Sequence, residues 1–207
     1  MNTTVKLPAL KSLLKSSALL LLVMTVLCGP IYMFTVTAVS QLLFPKEANG
    51  SIIEIKGVKY GSALLGQQFT EARHLWGRPM LPQKAAVKES TGRPLSYGQP
   101  SNLSPASAQF AELTAKRVAE MRKANPQAAT LKVPVELVTV SGSGLDPEIS
   151  PAAAEYQVPR IASATGRTAE SVREIIKRYT TGRFLGIFGE PRVNVLKVNL
   201  ALDGLLQ

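Results

Sequence analysis

One cysteine and one histidine occur among the 207 residues, and these two shortages remove much chemistry. Cys28 has no partner within the chain, so no internal disulfide is available in any compartment. A lone His74 excludes HExxH and every other two-histidine metal site. A Ser-His-Asp arrangement would have to recruit His74, which sits in "EARHLWGRP" with no nucleophile signature around it. An ordinary surface or partly buried histidine is the expectation. The 14 acidic residues are too dispersed to specify an ion site. No catalytic residue and no metal ligand set is therefore assigned. Internal repeats and low-complexity tracts are also absent. "SLLK" at 12–15 matches the Ser-x-x-Lys pattern of penicillin-binding enzymes, but it lacks the accompanying Lys-Thr-Gly and is a chance match.

Charge is unbalanced toward the basic side, with a formal net charge of +10. Lys6, Lys11 and Lys15 precede an apolar segment, leaving 21 basic against 14 acidic residues beyond it. Such a balance suits nucleic acid in principle. Here the basic residues are scattered, and no RNP, zinc-finger or basic-zipper pattern appears, so nucleic acid is not an expected partner. A solvated surface facing acidic headgroups or an acidic partner is expected instead.

What the chain does have is a long uncharged run, "SSALLLLVMTVLCGPIYMFTVTAVSQLLFP", from Ser16 to Pro45. As a helix, Ala18 to Phe44 would extend about 40 Å, longer than a hydrocarbon core of roughly 30 Å. Only a helix satisfies such a segment's backbone groups in lipid. Gly29-Pro30 falls near the middle and should kink it. A cleaved signal peptide would have a shorter apolar region, and a lipoprotein reading of Cys28 fails because the bulky Leu27 precedes it. The expected organisation is a basic tail (1–15), a transmembrane helix (16–44) and an extramembrane domain (45–207). Lys46, Lys56 and Lys59 follow the span closely, so the positive-inside count is nearly balanced. The purely basic tail favours a cytoplasmic N-terminus and a domain on the outer side. Ser17, Gly29, Thr35 and Ala38 are small enough to let partner helices approach the span.

Beyond the span, "SIIEIKGVKYGSALLGQQF" (51–69) alternates apolar and polar residues in short pieces, predicting strands. Residues 77–104 read as a long Gly/Pro/Ser-rich loop. Ser104-Pro105 predicts a helix start with Phe110, Leu113, Val118 and Met121 on one face, ended by Asn125-Pro126. "LKVPVELVTV" (131–140) reads as extended. Ser150-Pro151 predicts a second helix, broken or kinked by Pro159 and closed near Gly166. A third starts at Thr168, with Val172, Ile175, Ile176 and Tyr179 inward. "PRVNVLKVNLALD" (191–203) alternates strongly enough to predict a strand with a register break near Val195-Leu196. The fold class is a single transmembrane helix followed by an α+β soluble domain.

"VSGSGLDPEISP" (140–151) holds the most chemistry in principle, since a Gly-rich loop opening onto a helix offers N–H groups to an oxyanion. Yet GxxxxGK[ST] and GxGxxG are both absent. Asp146 and Glu148 also place negative charge where phosphate would sit. Turn-forming residues alone account for the stretch.

"VPVELVTVSGSGLDPEISPAAAEYQVPRIA" (133–162), "GSALLGQQF" (61–69), "RP" (78–79), "SNLSP" (101–105) and "GEPRVNVLKVNLALD" (189–203) together resemble the C subunit of the Kdp-type potassium-transporting ATPase. The resemblance implies a single-span accessory subunit of the inner (plasma) membrane, with lipid around its helix; the basic tail is what places the domain on the periplasmic or extracellular side. Its implied partners are a potassium-conducting membrane subunit and a P-type ATPase subunit. The chain has no Asp-Lys-Thr-Gly-Thr phosphorylation motif, as a non-catalytic role requires. The family is also described as a catalytic chaperone raising the ATPase subunit's affinity for ATP. That description implies nucleotide contact by Gln157 and the adjoining Ser141, Gly142, Ser143 and Gly144. ATP would then be shared with the ATPase partner, and no covalent cofactor is implied. Two departures stand out: Glu148 occupies a position where the family block carries histidine, and "SYGQPSNLSPAS" is looser than a Gly-Gly-Ser-Asn-Leu segment. An outer domain cannot meet cytoplasmic ATP. The alternative is a cap on the external mouth of the potassium-conducting subunit.

Overall fold

The computed structural model describes residues 7–82 and 98–206. Residues 83–97 of the predicted 77–104 loop thus lie outside the described residues. The chain divides into two compact units, 1–52 and 53–207, described separately below.

The first unit is dominated by one apolar helix. Helix α1 (Leu7–Val26) passes through a single π-helical turn, Leu27–Ile31, into α2 (Tyr32–Leu43). Residues Leu10–Leu43 form a continuous 34-residue stretch with a mean hydropathy of 2.2, long and apolar enough to cross a membrane. At 1.5 Å per residue it measures roughly 50 Å. The π turn contains Pro30. Proline lacks the N–H owed to Val26 and crowds that carbonyl, and widening the helix by one residue relieves the clash. Where the sequence predicts a kink, at Gly29-Pro30, the structure places this π turn. A short helix α3 (Pro45–Ala48) follows, closed by Asn49, whose amide bonds the Gln41 side chain at 3.0 Å and the Pro45 carbonyl.

The second unit is α+β. Strands β1 (Ile52–Ile55) and β2 (Val58–Ser62) form a hairpin, and β3 (Leu81–Pro82) pairs antiparallel with β4 (Gly98–Gln99). Helix α4 (Ala108–Ala124) follows, with Phe110, Leu113 and Val118 half-buried and Met121 buried. Its cap is Ser107, whose hydroxyl accepts from the Phe110 N–H, rather than Ser104. Ser104 instead heads a separate turn, its carbonyl accepting from Ser107. Pro105 sits within that turn. Asn125 ends the helix as expected.

Residues 131–140 are not a strand. They hold a 3-10 turn at Val135–Leu137, which follows Pro134 and presents Leu137 to the core. Strand β5 (Glu148–Ile149) leads into α5 (Pro151–Thr165), capped by Ser150 and closed by Gly166 at φ +69°. Pro159 lies inside α5 without ending it. The carbonyl freed by its missing N–H belongs to Glu155, on the exposed face, where water can satisfy it. Helix α6 (Ala169–Arg178), capped by Thr168, buries Val172 and Ile176.

The C-terminal segment corrects the sequence expectation. Strand β6 (Thr180–Thr181) and β7 (Arg192–Asn194) pair antiparallel, and β7 also pairs β5, giving the order β5-β7-β6. The chain then turns helical as α7 (Val195–Leu202) instead of continuing extended. Asn194 decides this: its side-chain oxygen accepts from the Lys197 N–H at 3.0 Å while its amide donates to the Ala63 carbonyl. Nearly every side of α7 is buried, so apolar alternation carries no information about its period. The core joins Leu75, Met121, Leu137, Ile149, Val158, Ile161, Val172, Val193 and Val198.

Candidate functional site

The Gly-Ser loop is a packed junction. Ser141 is buried and its hydroxyl accepts from the Gly144 N–H at 2.8 Å, while the Ser143 hydroxyl accepts from the Leu145 N–H. The Leu145 carbonyl in turn accepts from Gly66 at 2.7 Å. Gly144 has φ +70°, and a Cβ there would lie 2.5 Å from the Gln99 backbone. A Cβ on Gly98 would collide with the Gly144 carbonyl. The glycines therefore allow β4 to lie against the loop. Gly144→Ala should lower domain stability by about 2–4 kcal/mol, combining left-handed strain with overpacking. Gly166→Ala, at φ +69° in open space, should cost only about 1 kcal/mol. Urea unfolding of the two variants separates the terms.

The N-terminus of α5 already holds an anion. Both the N–H and the hydroxyl of Ser150 donate to the Glu136 carboxylate, and the same hydroxyl accepts from Ala153. Arg78 bonds the Thr139 and Val140 carbonyls and lies 3.5 Å from Asp146. Arg192 pairs Glu148 at 2.9 Å. An oxyanion approaching here would meet three carboxylates, each already partnered.

Below this end of α5, polar side chains clasp an irregular segment. Gln157 is 0% exposed. Its oxygen accepts from the Trp76 N–H (2.9 Å) and from the Arg160 guanidinium, and its nitrogen donates to the Trp76 and Ala153 carbonyls. Asn199 of α7 clasps Leu75 in the same two-point manner, at 2.7 and 2.9 Å. These amides stand in for a neighbouring strand, giving residues 75 and 76 the pairing a sheet would give. Arg160, also buried, donates to Asn125 and to the Ala72 and His74 carbonyls, with its guanidinium 4.3 Å from the Trp76 ring centre. Among the described residues, no carboxylate pairs with it. Burial pushes its pKa down to about 10, which leaves it charged at neutral pH. His74 is buried, with Nε2 3.1 Å from the Asp203 carboxylate and its ring edge on Phe69. That arrangement is a strut between the segment and the end of α7.

Beside Trp76 opens a groove of about 440 Å³, lined by Phe69, Trp76, Met80, Arg117, Met121 and Leu137 among others. Arg117 donates to the Val138 carbonyl, and burial lowers its pKa against the opposing effect of Glu120. Among the described residues, no group of three or more His, Cys, Asp or Glu could hold a metal.

Of the family-implied nucleotide residues, Ser141, Gly142, Ser143 and Gly144 lie in the junction before β5, and Gln157 lies inside the fold two turns into α5. Ser141, Gly144 and Gln157 are buried, whereas Gly142 and Ser143 are exposed. Ser17 is on α1, Gly29 in the π turn, Thr35 and Ala38 on α2, all exposed. A Cβ on Gly29 would meet nothing within 4 Å. Sequence reasoning missed Arg160, Asn199 and Glu136. The available signal was polar residues within apolar helical runs, Gln157 and Arg160 being three apart on one face.

Comparison with known proteins fits this arrangement to a family. The family model described as "K+-transporting ATPase, c chain" (KdpC) matches residues 14–204. The chain belongs to the KdpC family. A protein of Clostridium perfringens named potassium-transporting ATPase KdpC subunit is 56% identical over 195 residues, covering 94% of this chain and 98% of that one. Proteins of the same name from Sorangium cellulosum and Methylococcus capsulatus are each 48% identical, covering 92% of this chain and 97% of theirs. The KdpC family is that of an accessory subunit of a potassium-transporting ATPase, so partner subunits belong to its working state.

Proposed function

We propose that this chain is a non-catalytic subunit that assembles and steadies a potassium-transporting ATPase. Its apolar helix packs among the helices of a potassium-conducting subunit and a P-type ATPase subunit in the plasma membrane. Its N-terminus faces the cytoplasm and its domain caps the outer mouth of the potassium-conducting subunit. One observation carries this reading over direct nucleotide contact: the hydrogen-bonding positions of Gln157 are taken up inside the domain. The α5 N-terminus, where a phosphate would be sought, likewise carries Glu136. Any rise in the ATPase subunit's affinity for ATP is then a consequence of assembly.

Two measurements test the proposal. Purification through a tag on this chain, from its native membrane, should bring down two larger membrane subunits; isolation alone would sink it. Protease added to right-side-out vesicles should degrade residues 46–207, whereas inverted vesicles should protect them. The opposite pattern would return the domain to the cytoplasm and restore nucleotide contact.

A further inference from the structure

The loop joining β6 to β7 exposes an unusual amount of apolar surface. Phe184, Leu185, Ile187 and Phe188 are 71%, 74%, 73% and 62% exposed. Elsewhere in the domain, the exposed large apolar residues among those described come singly or as the pair Leu64-Leu65. Concentrated apolar exposure of this kind marks an interaction site.

The loop is also built to hold its shape. Phe184 and Phe188 exchange both backbone hydrogen bonds, at 2.8 and 2.9 Å, and the Gly186 N–H donates to the Arg183 carbonyl. Leu185 sits at φ +53°, beside Gly186 at +75° and Gly189 at +77°. A leucine in the left-handed region is strained, and such strain persists where surrounding structure over-determines it. Across the base, Arg183 bonds both carboxylate oxygens of Glu190, at 3.0 and 2.8 Å. A preordered apolar tip loses little entropy on docking.

From these features we infer that the 183–190 loop is a plug that seats in an apolar socket on another subunit of the potassium-transporting ATPase, and this rests on the accessory-subunit reading above. The rim selects protein over lipid. Arg183 is neutralised by Glu190 and the flanking Arg192 by Glu148. Anionic lipid attracts uncompensated basic residues, whereas an apolar centre ringed by paired polar groups is the anatomy of a protein interface.

The test uses the intact assembly. Phe184→Ser combined with Phe188→Ser should reduce recovery of this chain with the two larger subunits at least tenfold. Leu64→Ser with Leu65→Ser, the control, should leave recovery within twofold. Because the Phe184 and Phe188 side chains are exposed, the unfolding temperature of the double variant should stay within a few degrees of wild type. Undiminished recovery overturns the plug. If wild-type chain brings down no partner, the accessory-subunit reading falls first and takes the plug with it. A single fluorophore at Ile187→Cys in a Cys28→Ser background then identifies the neighbour in nanodiscs. Shielding from iodide only in the assembled complex, without quenching by spin-labelled lipid, is the expected result. Quenching by the lipid, or cross-linking of Ile187→Cys between two copies of this chain, overturns it in favour of bilayer or self-association.

Discussion

Replacing Arg160 by methionine is expected to lower the domain's unfolding temperature by roughly 8–16 °C, at about 2–4 °C per kcal/mol for a domain of this size. The cause is not loss of charge, since a buried cation without a carboxylate partner is itself costly. It is the acceptors left behind. Asn125 Oδ1 and the Ala72 and His74 carbonyls each take a hydrogen bond from this guanidinium, and methionine offers them nothing. Stranding a buried acceptor costs about 1–3 kcal/mol, partly offset by removing the desolvated charge, so a net loss near 4 kcal/mol follows. Arg160→Lys should recover less than half, because an ammonium cannot span acceptors arranged for a planar fork. Trp76 is the chain's one tryptophan and lies against the guanidinium, so its fluorescence reports on the cage directly. An unchanged melting curve for the methionine variant would mean the 71–76 segment holds itself in place.

The cage also marks the limit of what the sequence discloses. Caps and stops are local, and Ser150, Thr168, Gly166 and Asn125 stand where their residue types predict. The apolar span was legible because its length and lack of charge need no tertiary context. Ser104 misled because two serines three apart both suit a helix start, and only the turn between them decides. The fate of 195–202 was hidden for a different reason. A helix buried on nearly all sides has no polar stripe to reveal its period, and Asn199, which a strand would set opposite the apolar side chains, is the buried clasp for Leu75. Arg160 and Gln157 could be seen on one face of α5. Nothing in the chain says that the other party is a strandless segment 80 residues upstream, because that pairing exists only after folding.

Gln157→Ala separates the two roles open to that residue. From inside the fold, its loss leaves the Trp76 N–H and carbonyl without the partners that hold them, and about 2–3 kcal/mol of stability should go with it. Calorimetry should then show the domain melting roughly 4–12 °C lower, with less assembled pump recovered. The apparent Michaelis constant for ATP, measured on the pump that does assemble, should stay within twofold of wild type. Direct nucleotide contact requires the reverse: normal melting, normal assembly and a raised constant. Gln157→Glu sharpens the contrast. A carboxylate can still accept from Trp76 and pair with Arg160, but it cannot donate to the Trp76 carbonyl, so stability should return only in part. At a nucleotide site the same negative charge would repel phosphate and raise the constant beyond the alanine value. Each reading therefore moves one quantity and leaves the other: the melting temperature if the side chain is internal, the Michaelis constant if it contacts nucleotide. A raised constant in a normally melting Gln157→Ala domain would place that side chain against ATP despite its burial in the free chain.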